Sequence, residues 1–567
     1  MSPRYSEAVR RDAAPAAFRG ACLFLLALVV LAYANGLTNG FTQDDDYFIV
    51  GNEQLRHAPW RLFYQPHPDS RVYRPITFAS FALNYAIGGP RPLDYHLVNL
   101  LLHGLVTVLL YGLLCELLHR PRVALAAATL FAVHPIHTEA VTSAVGRAEL
   151  LAAAGLLGAW RLHLRERWSL AALCALLAML AKESAIAVVA LLPLADYACR
   201  RPGFPRRMVA GYARYAGVAV LYLVALSQTQ GFARPRIPFI DNPLAALPAG
   251  WRALNALGVA WRYVALQLFP ATLSSDYSYA AIPVASELPR LAPALAGWLV
   301  VAGLWLWGLR RGRTGPALAG TIYLAGFAIS ANVVAPIGTI MAERLAYWPS
   351  VGVCLLAALV WDRCTARSVP LGVALLALVT AALAARTAVR NRDWHDDRTL
   401  FEATVRAVPT SAKARQNLGV VYLNAHALPR AEEEFEAALR IQPDYPDALA
   451  GLGWAYVQSG DLGRAEPFLE KAFGTSGPEN PRYGTIGAVY AALLLNTGRP
   501  DAALDVLNRV LAVSPRAAHA YFLRAVVRAR SGNRDAALDD VETALRLDPT
   551  NAQAVTLRDQ LRAAASP

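Results

Sequence analysis

Apolar positions follow two different patterns along the chain, and the change falls near residue 390. Before it they come in long unbroken runs, the mark of helices surrounded by lipid or by other membrane helices. Such runs lie near 18–37, 95–118, 122–135, 147–164, 168–182, 184–199, 208–226, 291–309, 315–332, 345–361 and 370–388, which predicts about 11 transmembrane helices. The first run follows Arg4, Arg10, Arg11 and Arg19, and Tyr33-Ala34-Asn35-Gly36 makes a poor signal-peptide cleavage site, so it reads as a retained anchor. Segment 252–270 is apolar but interrupted by Arg252 and Arg262, which predicts a helix lying at the membrane surface.

After residue 411 the runs give way to a 34-residue period of small and large positions, the tetratricopeptide pattern. The unit 412–445 carries Leu418, Gly419, Tyr422, Ala431, Phe435, Ala438 and Pro443, and 446–479 repeats the slots with Leu452, Gly453, Tyr456, Ala465, Leu469 and Ala472. An insertion around Pro478 to Tyr483 precedes 484–517, with Ala491, Gly498, Ala503, Leu507 and Pro515. The last unit, 518–551, keeps Ala525, Gly532, Ala537, Val541, Ala544 and Pro549, and 552–564 reads as a capping helix. Small residues let paired helices approach closely, and the late Pro ends each second helix. Residues 391–411, with the half-unit Leu400-Phe401 to Pro409, join the two parts.

Composition sharpens this division. Hydrophobic residues make up 56% and charged residues 17%, against roughly 25% charged in an ordinary soluble domain. The formal charge is +13, yet residues 398–567 hold 19 basic and 19 acidic side chains, so the whole excess sits in the apolar part. No basic face marks the repeats, which excludes a nucleic-acid partner. The excess instead fits cytoplasmic loops. With 11 spans, His119 to Arg122, Arg161 to Arg167, Arg200 to Arg207, Arg310 to Arg313, Asp362 to Arg367 and the N-terminus all fall on one, cytoplasmic, side. The external connections are then 38–94, 134–146, the Lys182-Glu183 turn, 227–290 and 333–344, and the repeats lie outside. Abundant Ala, Arg and Leu suggest a high-GC bacterium, hence an inner-membrane protein with a periplasmic repeat domain. Six scattered cysteines, with no CxxC pair, form neither a disulfide framework nor a zinc site.

Ionisable groups at membrane depth are costly and often functional. They gather on the external side: Asp44-Asp45-Asp46 and Tyr73-Arg74-Pro75 in the first loop, His134-Pro135-Ile136-His137-Thr138-Glu139, Gly146-Arg147-Ala148-Glu149, Lys182-Glu183 and Glu343-Arg344, with Asp276 a weaker member. The two histidines, three apart, are open to three readings: metal ligands, helix caps, or parts of a buried hydrogen-bond network. Charged turns on one face above apolar spans suggest a site at the membrane surface that admits a lipid-linked substrate from the side.

Taken together, Phe41 to Asn52, Tyr73-Arg74-Pro75, Tyr95-His96-Leu97-Val98-Asn99, Phe131 to Glu139, Gly146 to Leu150, Ala342-Glu343-Arg344 and Asn391-Arg392-Asp393-Trp394 to Phe401 resemble the TMTC family, the transmembrane and tetratricopeptide-repeat O-mannosyltransferases. The resemblance spans nearly the whole chain in the same order. It implies an all-α protein: a polytopic GT-C-type glycosyltransferase domain over 1–390, the junction 391–411, and a repeat solenoid over 412–567. It implies transfer of a sugar, typically mannose, from a polyprenyl- or dolichyl-phosphate donor to Ser or Thr hydroxyls, with the repeats binding the polypeptide. GT-C enzymes carry an acidic pair in the first external loop, and Asp44-Asp45 stands there. Two departures are the third acid, Asp46, and an array of only four full repeats.

On that basis Asp44 or Asp45 is the expected base, taking the acceptor proton during inverting attack at the anomeric carbon. Arg344, helped by Arg74 or Lys182, is expected to hold the departing lipid phosphate. Glu139, Arg147, Glu149, His137 and Glu343 would orient the sugar or the loop carboxylates. The metal question stays open: the step needs no cation, though a divalent ion could bridge carboxylate and phosphate. Rival readings are transfer to a glycolipid or envelope polymer, and a non-catalytic membrane-anchored repeat scaffold.

Overall fold

Helix is the only regular structure among the described residues of this computed structural model, which are 3–67, 70–201, 203–230, 237–478, 480 and 482–563. Residue 202 of the Arg200–Arg207 connection, 231–236 of the 227–290 connection, 479 and 481 of the repeat insertion, and 564 of the capping segment lie outside them. So do the side chains of Arg4, Arg10, Arg11 and Arg207. The chain divides into two units, Met1–Ser278 with Ile282–Ala407, and Tyr279–Ala281 with Val408–Pro567. The helix Asp397–Ala407 thus belongs with the first unit, and Asn391 still lies inside the helix Val369–Asp393.

Every apolar run of the first unit becomes a helix, but not every helix is a full span. Five are long and apolar enough to cross a membrane: Ala16–Thr38, Pro92–Leu118, Val209–Thr229, Leu288–Arg311 and Val369–Asp393. The pair Pro135–Val141 and Ala144–Leu164, bent by 97°, makes a sixth if counted as one span. The other predicted spans are shorter or more charged: Pro121–Ala132, Trp168–Ala181, Val188–Ala198, Thr314–Phe327 and Ser350–Arg367. Of the about 11 spans expected, length and composition support five to six.

Another correction concerns the first external connection, read as a loop over 38–94. It contains a 14-residue helix, Pro75–Gly88, with Pro at its first position and Thr77, Phe78, Phe81 and Asn84 buried. As expected, residues around 252–270 form an amphipathic helix, Ala249–Leu268. It buries Asn255, Ala256, Val259, Ala260, Tyr263 and Gln267 at helical spacing.

Loops expected on one side do meet. Arg120 pairs with Asp362, and Arg200 Nη2 donates to the carbonyls of Leu309 and Arg310 at 3.4 and 3.3 Å. At the other helix ends His134 Nε2 lies 2.8 Å from the Gln267 carbonyl, Arg74 binds Glu183 and Arg344 binds Glu139. The charged turns therefore share one end of the helical unit.

The second unit follows the repeat register. Helix pairs begin at Ala412, Pro446, Tyr483 and Ala518, and a last helix, Ala552–Ala563, closes the array. The small positions are buried, among them Ala431, Ala438, Ala465, Ala472, Ala503 and Ala544. Phe435 fills the first interface, where a Cβ at Gly451 would come within 2.4 Å of its ring, so only glycine leaves room there.

Candidate active site

The connection after the first apolar helix is tied to the end of helix Val369–Asp393. Asn39 Nδ2 donates to the Asn391 carbonyl at 2.9 Å, and Gly40 N to that of His395 at 2.8 Å. Gln43 then takes a left-handed conformation, φ 51°, and its N–H donates to Asp397 Oδ1 at 2.8 Å. This turn separates the three acids. Asp44 and Asp46 are exposed, whereas Asp45 is fully buried.

Asp45 is a brace. Its Oδ1 accepts from Val145 N at 2.8 Å and Ser143 Oγ at 3.3 Å, and its Oδ2 from Thr42 N at 3.1 Å and Ala144 N at 3.3 Å. Burial pushes the carboxyl from its ordinary 3.8 up to about 7, against the pull of the Val145, Thr42 and Ala144 N–H groups. The folded protein then holds a proton that the unfolded chain has already released. Stability from this group is complete below about pH 4 and is lost as pH rises to about 7. The thermal midpoint should fall across that window, and Asp45→Ala should flatten the decline as well as lower the midpoint. Glu343, also raised to about 7 by burial, would supply the remaining slope. A slope unchanged in Asp45→Ala would contradict this assignment.

The turn that receives Asp45 depends on Gly146, whose Cβ would stand 2.4 Å from the Ala140 carbonyl oxygen. Asn99 Nδ2 holds the same turn through the Ser143 carbonyl at 2.8 Å, while its Oδ1 accepts from Arg147 Nε at 2.9 Å. Arg147 is wholly buried. It donates from Nη1 to Asn84 Oδ1 at 2.6 Å and from Nη2 to the Tyr95 carbonyl at 3.0 Å, and it lies over the rings of Phe81 and Tyr95. Expected to orient a sugar, Arg147 is instead committed to the protein interior, because Asn84, Asn99 and Tyr95 use its donors. Arg147→Met should cost about 3 kcal/mol or more by leaving these acceptors unpaired. An unchanged thermal midpoint would show that they find other partners.

Three ion pairs follow along the same end. Arg74 grips Glu183 with Nε at 2.9 Å and Nη2 at 2.6 Å, Lys182 pairs with Glu149 in a buried contact, and Arg344 pairs with Glu139. Glu139 also accepts the Arg344 backbone N–H at 2.8 Å, which sets the start of the short helix Glu343–Ala346. The three cations lie within electrostatic range of one another. Asp44 lies within range of Arg344. Arg344 keeps spare donors, since its side chain is 34% exposed and its Nε and Nη2 make no hydrogen bond among the described residues. The exposed Asp44 carboxylate and the spare donors of Arg344 thus lie within electrostatic range of each other, among paired charges.

The remaining candidates point elsewhere. Glu343 is buried; its Oε1 accepts from Ser274 N and the Tyr277 hydroxyl, both at 2.6 Å, and its Oε2 lies 3.8 Å from Arg390 Nη2. His137 is buried with Nε2 2.8 Å from Ser350 Oγ, packed on Phe131 and Tyr347. Both side chains are engaged within the protein at these positions. His134 accepts from Ile136 N and caps the turn Pro135–His137, so the cap and network readings of the two histidines describe what is there. Among the described residues no group of three or more His, Cys, Asp or Glu side chains is placed to hold a metal ion. Sequence reasoning did not single out Asn391 for a role at the site. Its side chain donates to the Ala32 carbonyl and Asn35 Oδ1, both at 2.8 Å, and accepts from Thr142 Oγ1 at 2.9 Å. A carboxamide late in an apolar helix was the available signal.

Tetratricopeptide-repeat models match residues 382–446, 425–475 and 491–562. Over 469 residues the chain is 30% identical to human protein O-mannosyl-transferase TMTC3, covering 72% of this chain and 50% of that protein. The chain is a homologue of the TMTC proteins. A protein O-mannosyl-transferase of Caenorhabditis elegans is 28% identical over 418 residues, 70% of this chain and 59% of its own. The chain thus spans about half the length of the curated TMTC relatives it matches. Among solved structures, that of YrrB, a TPR protein with an unusual peptide-binding site, is 20% identical and covers 35% of this chain and 97% of its own, with a TM-score of 0.24.

Proposed function

We propose that this TMTC homologue is a GT-C-type membrane glycosyltransferase. It moves a sugar, mannose following the names of its relatives, from a polyprenyl-phosphate carrier to Ser or Thr hydroxyls of polypeptides at the external face of a bacterial inner membrane. The observation that carries the reading is the exposed Asp44 carboxylate within electrostatic range of Arg344, whose Nε and Nη2 are uncommitted. Asp44 takes the hydroxyl proton as the acceptor oxygen bonds to the anomeric carbon. The bond from that carbon to the phosphate oxygen breaks on the opposite face, with inversion, and the polyprenyl phosphate leaves as an anion. Arg344 meets the developing charge with the fork of donors that suits phosphate. Arg74 and Lys182 add to the field, while Glu139, Glu149 and Glu183 keep the three cations in place. The repeat unit takes the polypeptide, the common use of such arrays.

The test is transfer by the purified protein in vesicles, with labelled polyprenyl-phosphate mannose and peptides rich in Ser and Thr. Label bound to peptide and resistant to lipid extraction is the expected result. Transfer to glycolipid alone would move the reading to an envelope acceptor, and no transfer from any polyprenyl-phosphate sugar would leave a membrane-anchored scaffold.

A further inference from the structure

Apart from the charged turns, the first unit encloses a second feature with the chemistry of a ligand site. Helix Ala249–Leu268, the segment 282–285 and the first turns of helix Leu288–Arg311 surround a cavity of about 340 Å³. Its wall is mostly apolar, with Val259, Ile282, Leu291 and Ile340 among the lining groups, and two guanidinium groups, Arg262 and Arg290, complete it. Asn255, also in the wall, is spent on closing it, through the Ala285 carbonyl at 3.0 Å and the Ala285 N–H at 2.7 Å. Arg262 and Arg290 are exposed and make no hydrogen bond or ion pair among the described residues. Two unneutralised cations on an apolar cavity repel each other and attract an anion with an apolar body.

Their place in the fold narrows the anion. Leu288–Arg311 is long and apolar enough to cross a membrane, and it carries Arg310 and Arg311 at one end and Arg290 in the first turn of the other. Between them Leu299 and Val300 are exposed, as is Leu288 beside Arg290. The Trp261 and Trp298 rings meet edge to face at 6.3 Å, and the Trp298 indole N–H donates to the Leu257 carbonyl at 2.9 Å. Arginine in the first turn of a membrane-length helix, above a bare apolar face, marks the height of lipid phosphates.

We propose that this cavity seats the head group of an anionic glycerophospholipid, with Arg262 and Arg290 binding its phosphodiester and the acyl chains lying along the exposed face of Leu288–Arg311. The inference rests on the membrane setting of the unit and not on sugar transfer. Occupancy bears on the neighbouring turn, because the Tyr263 hydroxyl accepts from Ala342 N at 2.9 Å and donates to its carbonyl at 3.0 Å, two residues before Arg344.

The full-length protein is placed in nanodiscs of phosphatidylcholine with increasing phosphatidylglycerol, and its thermal midpoint and retained lipids are measured. Phosphatidylglycerol should raise the midpoint and be retained preferentially. Arg262→Gln/Arg290→Gln should weaken that preference about tenfold, and Arg262→Lys/Arg290→Lys should keep it. An equal response to both lipids would overturn the proposal, as would an undiminished preference in the Gln variant. Equal stabilisation by inorganic phosphate would make the cavity a soluble-anion site. Tighter retention of polyprenyl phosphate than of phosphatidylglycerol would make it part of the donor's seat. Either result overturns the assignment to a glycerophospholipid.

Discussion

Asp44→Asn should lower sugar transfer by about 10²–10⁴-fold and leave the thermal midpoint of the helical unit where it was. Both halves of that expectation come from exposure. The Asp44 carboxylate faces solvent within range of Arg344 and braces nothing, so its loss removes a proton acceptor and little else. Its neighbour should behave in the opposite sense. Asp45→Ala strips partners from four donors, at about 1–3 kcal/mol for a buried group left unsatisfied, so its first effect is on stability. Parallel activity and melting measurements on the two variants separate base from brace. Full activity in Asp44→Asn would remove it from the chemistry, and a large fall in its midpoint would show a structural part as well.

The second large effect is expected at Arg344, where the choice of substitution matters. Arg344→Ala would leave the buried Glu139 carboxylate without its cation, at about 3–5 kcal/mol, and a fall in activity could then be unfolding. Arg344→Lys keeps a charge for Glu139 but gives up the planar fork. The variant should hold its thermal midpoint near the parent's while turnover drops about 100-fold or more, the scale seen when one donor to a developing anion is removed. The loss should appear with different acceptor peptides alike, since the group acts on the leaving phosphate. Parental turnover in Arg344→Lys would assign the phosphate to another cation.

Much of this architecture was legible in the sequence, for identifiable reasons. The repeats announce themselves because one 34-residue unit recurs with Ala and Gly where helices touch, and a small residue in a close contact has few substitutes. The apolar runs likewise give the helices of the first unit. What the runs do not give is which helices are full spans, since a 12-residue segment such as Pro121–Ala132 and a 27-residue one such as Pro92–Leu118 are equally apolar to a local reading. Helix Pro75–Gly88 was missed because its apolar stretch is too short to signal a span and sits in a polar connection.

At the site, sequence located the charged turns and left their roles mixed. Asp44 and Asp45 are adjacent and identical in type, and what distinguishes them is a set of N–H groups a hundred residues away at Ala144 and Val145. Arg147 was read as functional because a charge at membrane depth needs a reason. The reason is Asn84, Asn99 and Tyr95, on helices that no local pattern connects to it. Long-range polar pairing is the part of a structure that periodicity cannot encode.

The most direct test of the central claim is made in cells. Intact masses of envelope proteins are compared between a strain carrying the parent chain and one carrying Asp44→Asn at the same level. The expected result is a set of proteins that bear hexose on Ser or Thr in the first strain and lack it in the second. Identical hexose masses in both strains would contradict the account.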